Sequence, residues 1–189
     1  MATAANHKAR VEAVIKWSEE NKVTRHPQGC IVLSPPGSGK SYFVSQHPAD
    51  WADEDEILGE TGLQIHTEEW HKPTHTNEDE IAHYTECDNY LRAMREAGLW
   101  VVGSLFEAYV PDYAVVLPES QHEGYVARRD DLKLPEVQEV TQFLYDLCIA
   151  ATPNVPVLRS WESLQEAVSG QPQGVVDLAD RKTPAGHAE

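Results

Sequence analysis

Cys30-Ile31-Val32-Leu33 runs without interruption into Ser34-Pro35-Pro36-Gly37-Ser38-Gly39-Lys40-Ser41. An apolar run followed by a turn rich in Gly and Pro reads as a buried strand that feeds a loop. Gly-Lys-Ser at the end of that loop is the mark of a phosphate-binding loop. In such a loop backbone N–H groups surround a β-phosphate, and the following helix directs its positive N-terminus at it. Lys40 is placed to reach the β- and γ-phosphates, and the Ser41 hydroxyl to ligate Mg²⁺. Gly37 and Gly39 permit backbone angles that a β-carbon opposes. The expected nucleotide-binding set is therefore Ser34, Pro36, Gly37, Ser38, Gly39, Lys40, Ser41 and Tyr42, with ATP and Mg²⁺ as ligands. The pattern's first glycine is here Ser34, a small residue. The alternative is a Gly/Pro turn without chemistry, which Gly-Lys-Ser directly after a buried-type strand disfavours.

The chain has 189 residues, 41% of them hydrophobic, enough for one domain with a core of its own. The expected division is an N-terminal helix within 1–24, a nucleotide-binding domain over 25–169 and a Gly/Pro/Asp-rich, disordered tail over 170–189. No apolar run approaches the length of a membrane span, and Met1 to Arg10 lack the apolar core of a signal peptide. Three widely spaced cysteines, Cys30, Cys87 and Cys148, disfavour a disulfide framework and point to a reducing, cytoplasmic interior. A net charge of −16 repels a polyanion at long range. Extended binding along a nucleic-acid duplex needs a basic stripe, which is missing, so only a nucleic-acid end in a local basic pocket is compatible with it.

Periodicity orders the rest. Ala5 to Val23 reads as a helix with Val11, Val14 and Ile15 on its apolar face, beside Trp17. Lys40 to Gln46 is a short helix stopped by His47-Pro48, and Trp51-Ala52-Asp53 a short second strand ending in acids. Gly59 to Thr76 reads as irregular. Asn77 to Ala97 is a long helix with a capping-box start and a Gly98 stop, whose Ile81, Tyr84, Cys87, Leu91 and Met94 are expected in the core. Leu99 to Gly103 is a continuously apolar third strand, as in a parallel sheet covered on both faces. Tyr113 to Leu117 is a fourth strand, Ser120 to Arg129 a helix, and Pro135 opens another. Val155 to Leu158 is a fifth strand, and Ser160 caps a last helix carrying Trp161, Leu164 and Val168. Strand and helix alternate throughout, which gives a three-layer α/β/α fold on a five-stranded parallel sheet with right-handed crossovers.

Asp53-Glu54-Asp55 stands at the end of the second strand, and open parallel sheets hold ligands at the carboxyl ends of their strands. A carboxylate there can accept a proton from an attacking hydroxyl or hold the hydration shell of Mg²⁺. The bland alternative is a solvated helix start, where acids favour the first turn. A Pro-Pro-Gly-Ser-Gly-Lys-Ser loop, an Asp-x-Asp after the second strand and five strands in this order resemble the small P-loop kinases, the nucleoside monophosphate, gluconate and shikimate kinase group. The terse Trp-x-Asp-x-Asp second strand looks most like the divergent kinases of phages and large DNA viruses. The resemblance covers roughly Gly29 to Val168. It implies that Asp53 and Asp55 bind the acceptor hydroxyl and assist Mg²⁺. It also implies that Arg128 and Arg129, after the fourth strand, belong to a mobile lid and stabilise charge on the transferring phosphoryl group. Catalytic roles thus fall on Lys40, Asp53, Asp55, Arg128 and Arg129, and metal ligation on Ser41, Asp53 and Asp55.

The resemblance is incomplete. Asp55 to Gly62 is one residue short of the shikimate kinase spacing, Val102-Gly103-Ser104-Leu105 stands in place of a triple glycine, and no arginine between Gly62 and Glu80 clamps a carboxylate. Shikimate is therefore disfavoured. The acid with which switch GTPases and motor ATPases end their third strand is also missing. His66, His71, His75, His83 and Cys87 match no closed zinc spacing. In the middle of the chain His71, His75, Glu86, Arg92 and Arg95 are candidates to line the acceptor, with Arg92 and Arg95 read first as a solvated helix face. Trp51 and Trp100 read as core. The expected acceptor is a small hydroxylated or phosphorylated metabolite, a nucleotide or nucleoside first. The alternatives are a kinase acting on a hydroxyl of DNA or RNA, and a nucleotide-binding switch or ATPase module that transfers nothing.

Overall fold

The computed structural model describes residues 4–61, 77–104, 109–128, 142, 145, 146 and 154–170. Five strands form one sheet: β1 Cys30–Leu33, β2 Trp51–Asp53, β3 Trp100–Gly103, β4 Tyr113–Val115 and β5 Val157–Leu158. Every pairing is parallel and the order is β2-β3-β1-β4-β5. The helices are α1 Ala4–Asn21, α2 Lys40–Gln46, α3 Glu54–Glu60, α4 Asn77–Glu96, α5 Glu119–Val126 and α6 Trp161–Ser169.

Side chains alternate across the strands and divide the core in two. Ile31, Ala52 and Val101 face a cluster with Val14 and Trp17 of α1, Ile57 and Leu58 of α3, and Leu91 and Met94 of α4. Cys30, Val32, Trp51, Val102 and Val115 face Phe43 and Val44 of α2 and Leu164 and Val168 of α6. This is a three-layer α/β/α architecture on an all-parallel sheet, the layout the alternating sequence pattern predicts. It is consistent with the broad class of Rossmann-like and P-loop-like folds and is not specific to one family. Among the described residues no helix is long and apolar enough to cross a membrane.

Some expectations hold and others need correction. The acidic run after β2 does start a helix, α3, which reaches Glu60, so Gly59 is helical rather than the beginning of irregular chain. Ile81 is 57% exposed, because the α4 residues that enter the core begin at Cys87. Trp51 is core, and Trp100, expected there too, is half-buried against it, in ring contact at 5.3 Å. Ser160 caps α6, its hydroxyl accepting from the Ser163 N–H. Gly98 ends α4 with φ +81°, and a β-carbon there would lie 2.3 Å from the His26 carbonyl oxygen. The helix expected from Pro135, the irregular stretch over 62–76 and the tail over 171–189 lie outside the described residues.

The strand order fixes where a ligand can sit. The connection leaving β1 runs toward β2 on one side of the sheet, and the connection leaving β4 runs toward β5 on the other. The carboxyl ends of the adjacent strands β1 and β4 therefore flank a topological switch point, where open α/β sheets keep their crevice. Ser34 to Ser41 follows β1 directly into that place.

Candidate functional site

The loop is held from several sides. The Ser34 N–H donates to the Gly103 carbonyl at the end of β3 (2.8 Å). The Ser34 hydroxyl donates to the Val115 carbonyl of β4 (2.7 Å) and lies 2.6 Å from Ser38 Oγ. A carbonyl can only accept, so the single Ser34 proton goes to Val115 and the Ser38 hydroxyl donates to Ser34. Both serines are fully buried. The serine in place of the usual first glycine is thus a pin, fastening the loop to two neighbouring strands and to itself. Gly37 (φ +77°) and Gly39 (φ +85°) take the left-handed turns that reverse the chain into α2. Two loop carbonyls are turned onto protein donors. The Trp161 indole N–H donates to Ser38 O (2.9 Å), and His122 Nε2 bonds Pro36 O (2.8 Å). Oxygens tied back in this way are not directed at an anion in the crevice. Tyr42 is 72% exposed on α2.

Strand parity places the first acid. Trp51 and Asp53 share the face of β2 that meets α2, while Ala52 points to the other. Asp53 Oδ2 accepts from the Ser41 hydroxyl at 3.2 Å, and Asp53 Oδ1 accepts from the Asp55 N–H at 3.2 Å as the N-cap of α3. The contact with Ser41 and the cap of α3 coexist in one residue. Asp53 is buried.

Glu54, between the two aspartates, is also buried. Removal from water pushes its carboxyl well above the ordinary range; the charges of Asp55 and Asp53 add to this, while Lys40 and a hydrogen bond with the Ser104 backbone oppose it. Glu54, Ile57 and Leu58 are the buried residues of α3, spaced i, i+3, i+4. That spacing, with a glutamate at its head, was the signal in the sequence. Its carboxyl meets the backbone just past β3, on the strand whose end lacks an acid of its own. The Asp55 pKa is also raised, by burial away from water first and then by the charge of Asp53, against the pull of Lys40. The carboxyls of Glu54 and Asp55 thus share the field of the Lys40 ammonium at the carboxyl end of β2.

The other candidates fall elsewhere. Arg128 lies just beyond α5, exposed, with its guanidinium 5.8 Å from the centre of the Tyr125 ring. Arg129, His71 and His75 lie outside the described residues. Glu86 is gripped by both nitrogens of an Arg10 fork at 2.6 Å, which assigns it to the α1–α4 contact rather than to an acceptor. Arg95 is neither a solvated helix residue nor an acceptor ligand: its Nη2 donates to Asp112 Oδ1 at 2.6 Å, at the amino ends of β1 and β4. Arg92 is exposed and donates to Asn89. Cys87 packs beside His83 (3.7 Å); burial, with the charges of Glu54 and Asp88, pushes its thiol up to about 12. A cleft of about 280 Å³ lined by His47, Asp50, Trp51, Trp100, Gln165 and Ser169 opens at the amino ends of β2 and β3, opposite the loop.

Among the described residues no three His, Cys, Asp or Glu side chains converge on a cation position. The Ser41 hydroxyl and the Asp53 carboxylate, in contact with each other, are a hard-oxygen pair. That pair suits Mg²⁺, which keeps several waters and takes one or two protein oxygens beside those of a phosphate.

No family model, curated protein or solved structure matches the chain. The chemistry of the site therefore rests on its own residues.

Proposed function

We propose that this chain is an ATP-dependent phosphotransferase that moves a γ-phosphoryl group to a hydroxyl or phosphate of a small metabolite, a nucleotide or nucleoside first. The observation that carries this reading is the 3.2 Å contact between Ser41 Oγ and Asp53 Oδ2 beside Lys40. It joins the last residue of a Gly-Lys-Ser loop to an acid at the end of a parallel strand, on the crevice side of the sheet. On this reading the triphosphate lies along Ser34, Pro36, Gly37, Ser38 and Gly39, with Tyr42 at the outer side of α2, and Lys40 meets the β- and γ-phosphates. Ser41 and Asp53 are the residues that would hold Mg²⁺, which would supply positive charge against the same phosphates.

The acceptor oxygen forms a bond to the γ-phosphorus as the bond to the bridging oxygen breaks. ADP leaves, and the acceptor proton passes to Asp53 or Asp55. Arg128, and Arg129 beside it, would add positive charge to the transferring group. Catalysis of this kind is mainly positioning and electrostatics, so these few side chains suffice.

The test is transfer from γ-labelled ATP to a panel of nucleosides, nucleoside monophosphates, sugar acids and 5′-hydroxyl oligonucleotides. Label on one small acceptor, abolished by Lys40→Ala, supports the reading and names the substrate. Label only on the oligonucleotide turns it into a nucleic-acid end kinase. Tight ATP binding with no transfer to any acceptor turns it into a nucleotide-dependent switch.

A further inference from the structure

On the reading of the loop proposed above, we infer that His122 is a positioning residue that links the Ser34–Ser41 loop to the arginine-bearing end of α5. α5, Glu-Ser-Gln-His-Glu-Gly-Tyr-Val, has no apolar stripe, and His122 is its one buried residue, at 3% exposure. A helix this short and polar has little stability of its own and takes its place from what it docks against. Here the docking is polar and specific. His122 Nε2 lies 2.8 Å from the Pro36 carbonyl oxygen, and since a carbonyl only accepts, that nitrogen carries the proton. The other side of the imidazole meets the Tyr145 ring at 4.6 Å, and the Tyr145 hydroxyl donates to Leu117 O at 2.8 Å, where the chain leaves β4. The imidazole is therefore clamped between the phosphate loop and the exit of the strand that leads into its own helix. Tyr125 stands one turn on from His122, and Arg128 a turn further, packed on the Tyr125 ring. At 1.5 Å per residue this is about 9 Å from the loop contact to the arginine.

The loop itself does not depend on this bond. Ser34 is tied to Gly103 and Val115, and Ser38 O to Trp161. Cutting the His122 link therefore leaves the loop able to hold ATP and frees α5 to drift, taking Arg128 out of register with the loop. The expected signature is a fall in kcat with KM for ATP nearly unchanged, carried through the arginine.

The experiment measures ADP release from MgATP, with a mixture of nucleosides and nucleoside monophosphates present, for the wild type, His122→Phe, His122→Gln, Arg128→Ala and the His122→Phe/Arg128→Ala double variant. Far-ultraviolet circular dichroism and thermal unfolding accompany each. His122→Phe is expected to lower kcat about tenfold, with KM for ATP within about twofold. The double variant is expected to be no slower than Arg128→Ala alone, because the two changes remove one link. His122→Gln keeps a side-chain N–H at the position of Nε2 and is expected to recover most of the rate. Multiplicative losses in the double variant, or a rise in KM that matches the fall in kcat, would overturn the link and leave His122 a packing residue. If His122→Phe does not fold, His122→Asn serves in its place, its amide being too short to reach Pro36. A wild type that neither binds nor turns over MgATP is a different failure: it removes the reading of the loop, and the link with it.

Discussion

The two ends of the sheet use charge in opposite ways. At the amino end, Arg95 donates to Asp112, the second Asp112 oxygen accepts the Ile31 N–H, and the His26 ring stacks on Trp100 at 3.7 Å. Arg95 and Asp112 there pair with each other, and the His26 ring lies on an indole. At the carboxyl end, Asp53, Glu54 and Asp55 follow one another, Lys40 acts on the last two, and the carboxyls of Glu54 and Asp55 are pushed upward in pKa. Buried polar groups that serve only the fold are satisfied by the fold. A surplus of like charge held at a crevice is a cost that a ligand can relieve. On the proposed function the contrast separates structural work at one edge from chemistry at the other, and it can be broken one residue at a time.

The largest effect is expected at the carboxyl edge. Asp53→Asn keeps a good N-cap for α3, so thermal stability should hold. The rate of phosphoryl transfer should fall by about 10²- to 10³-fold, with a higher Mg²⁺ requirement, both read from steady-state kinetics across a Mg²⁺ titration. A comparable loss of Tm would mean that Asp53 is there for the helix alone.

The mirror experiment is Arg95→Ala. It leaves Asp112 without its charged partner and should cost about 1.5–3 kcal/mol in denaturant unfolding, with kcat per folded molecule unchanged. A kinetic defect in the folded variant would erase the division between the two ends.

Ser34→Gly sharpens the comparison from inside the loop. It restores the usual loop residue and removes the bonds to Val115 and Ser38. The expected outcome is a loss of about 1–2 kcal/mol of stability with MgATP affinity kept within a few-fold.

The smallest effect is a pair of pH dependences with opposite sign. Burial lowers the His26 pKa against the pull of Asp50. The unfolded chain then binds the proton more tightly, and stability present above the unfolded value of about 6.5 is lost as pH falls through the folded one. His26→Phe, which cannot titrate, should gain in Tm relative to wild type between pH 7 and pH 5. Glu54 is raised, so its contribution is full below the unfolded carboxyl pKa and is lost as pH rises through the folded value. Glu54→Gln should therefore gain relative to wild type as pH rises from 5 to 8. Differences that run the same way for both variants would contradict the electrostatic contrast.

What the sequence disclosed and what it hid follow the same physics. Cys30 to Leu33, Trp100 to Gly103 and the Gly-Lys-Ser loop are legible because burial on both faces and turn chemistry are local properties of the chain. The Ser160 cap is legible for the same reason. The place of Asp53 at a strand end is legible too, and there it both caps α3 and meets the Ser41 hydroxyl. Glu54 was hidden because an acidic run reads as a solvated surface, although the positions of Ile57 and Leu58 put it on the buried side. Arg95 and Glu86 were misplaced because their partners, Asp112 and Arg10, come from other elements. His122 was invisible for a similar reason: nothing in a polar octapeptide reports that one imidazole will reach a loop carbonyl far back in the chain.

The central claim is that the loop after β1 binds a nucleoside triphosphate with Mg²⁺. Isothermal calorimetry of MgATP on the wild type, on Lys40→Ala and on the wild type with excess EDTA measures it directly. The account predicts saturable one-to-one binding to the wild type, weakened at least about tenfold by either change. Equal heats for all three, or none for a folded wild type, would contradict it.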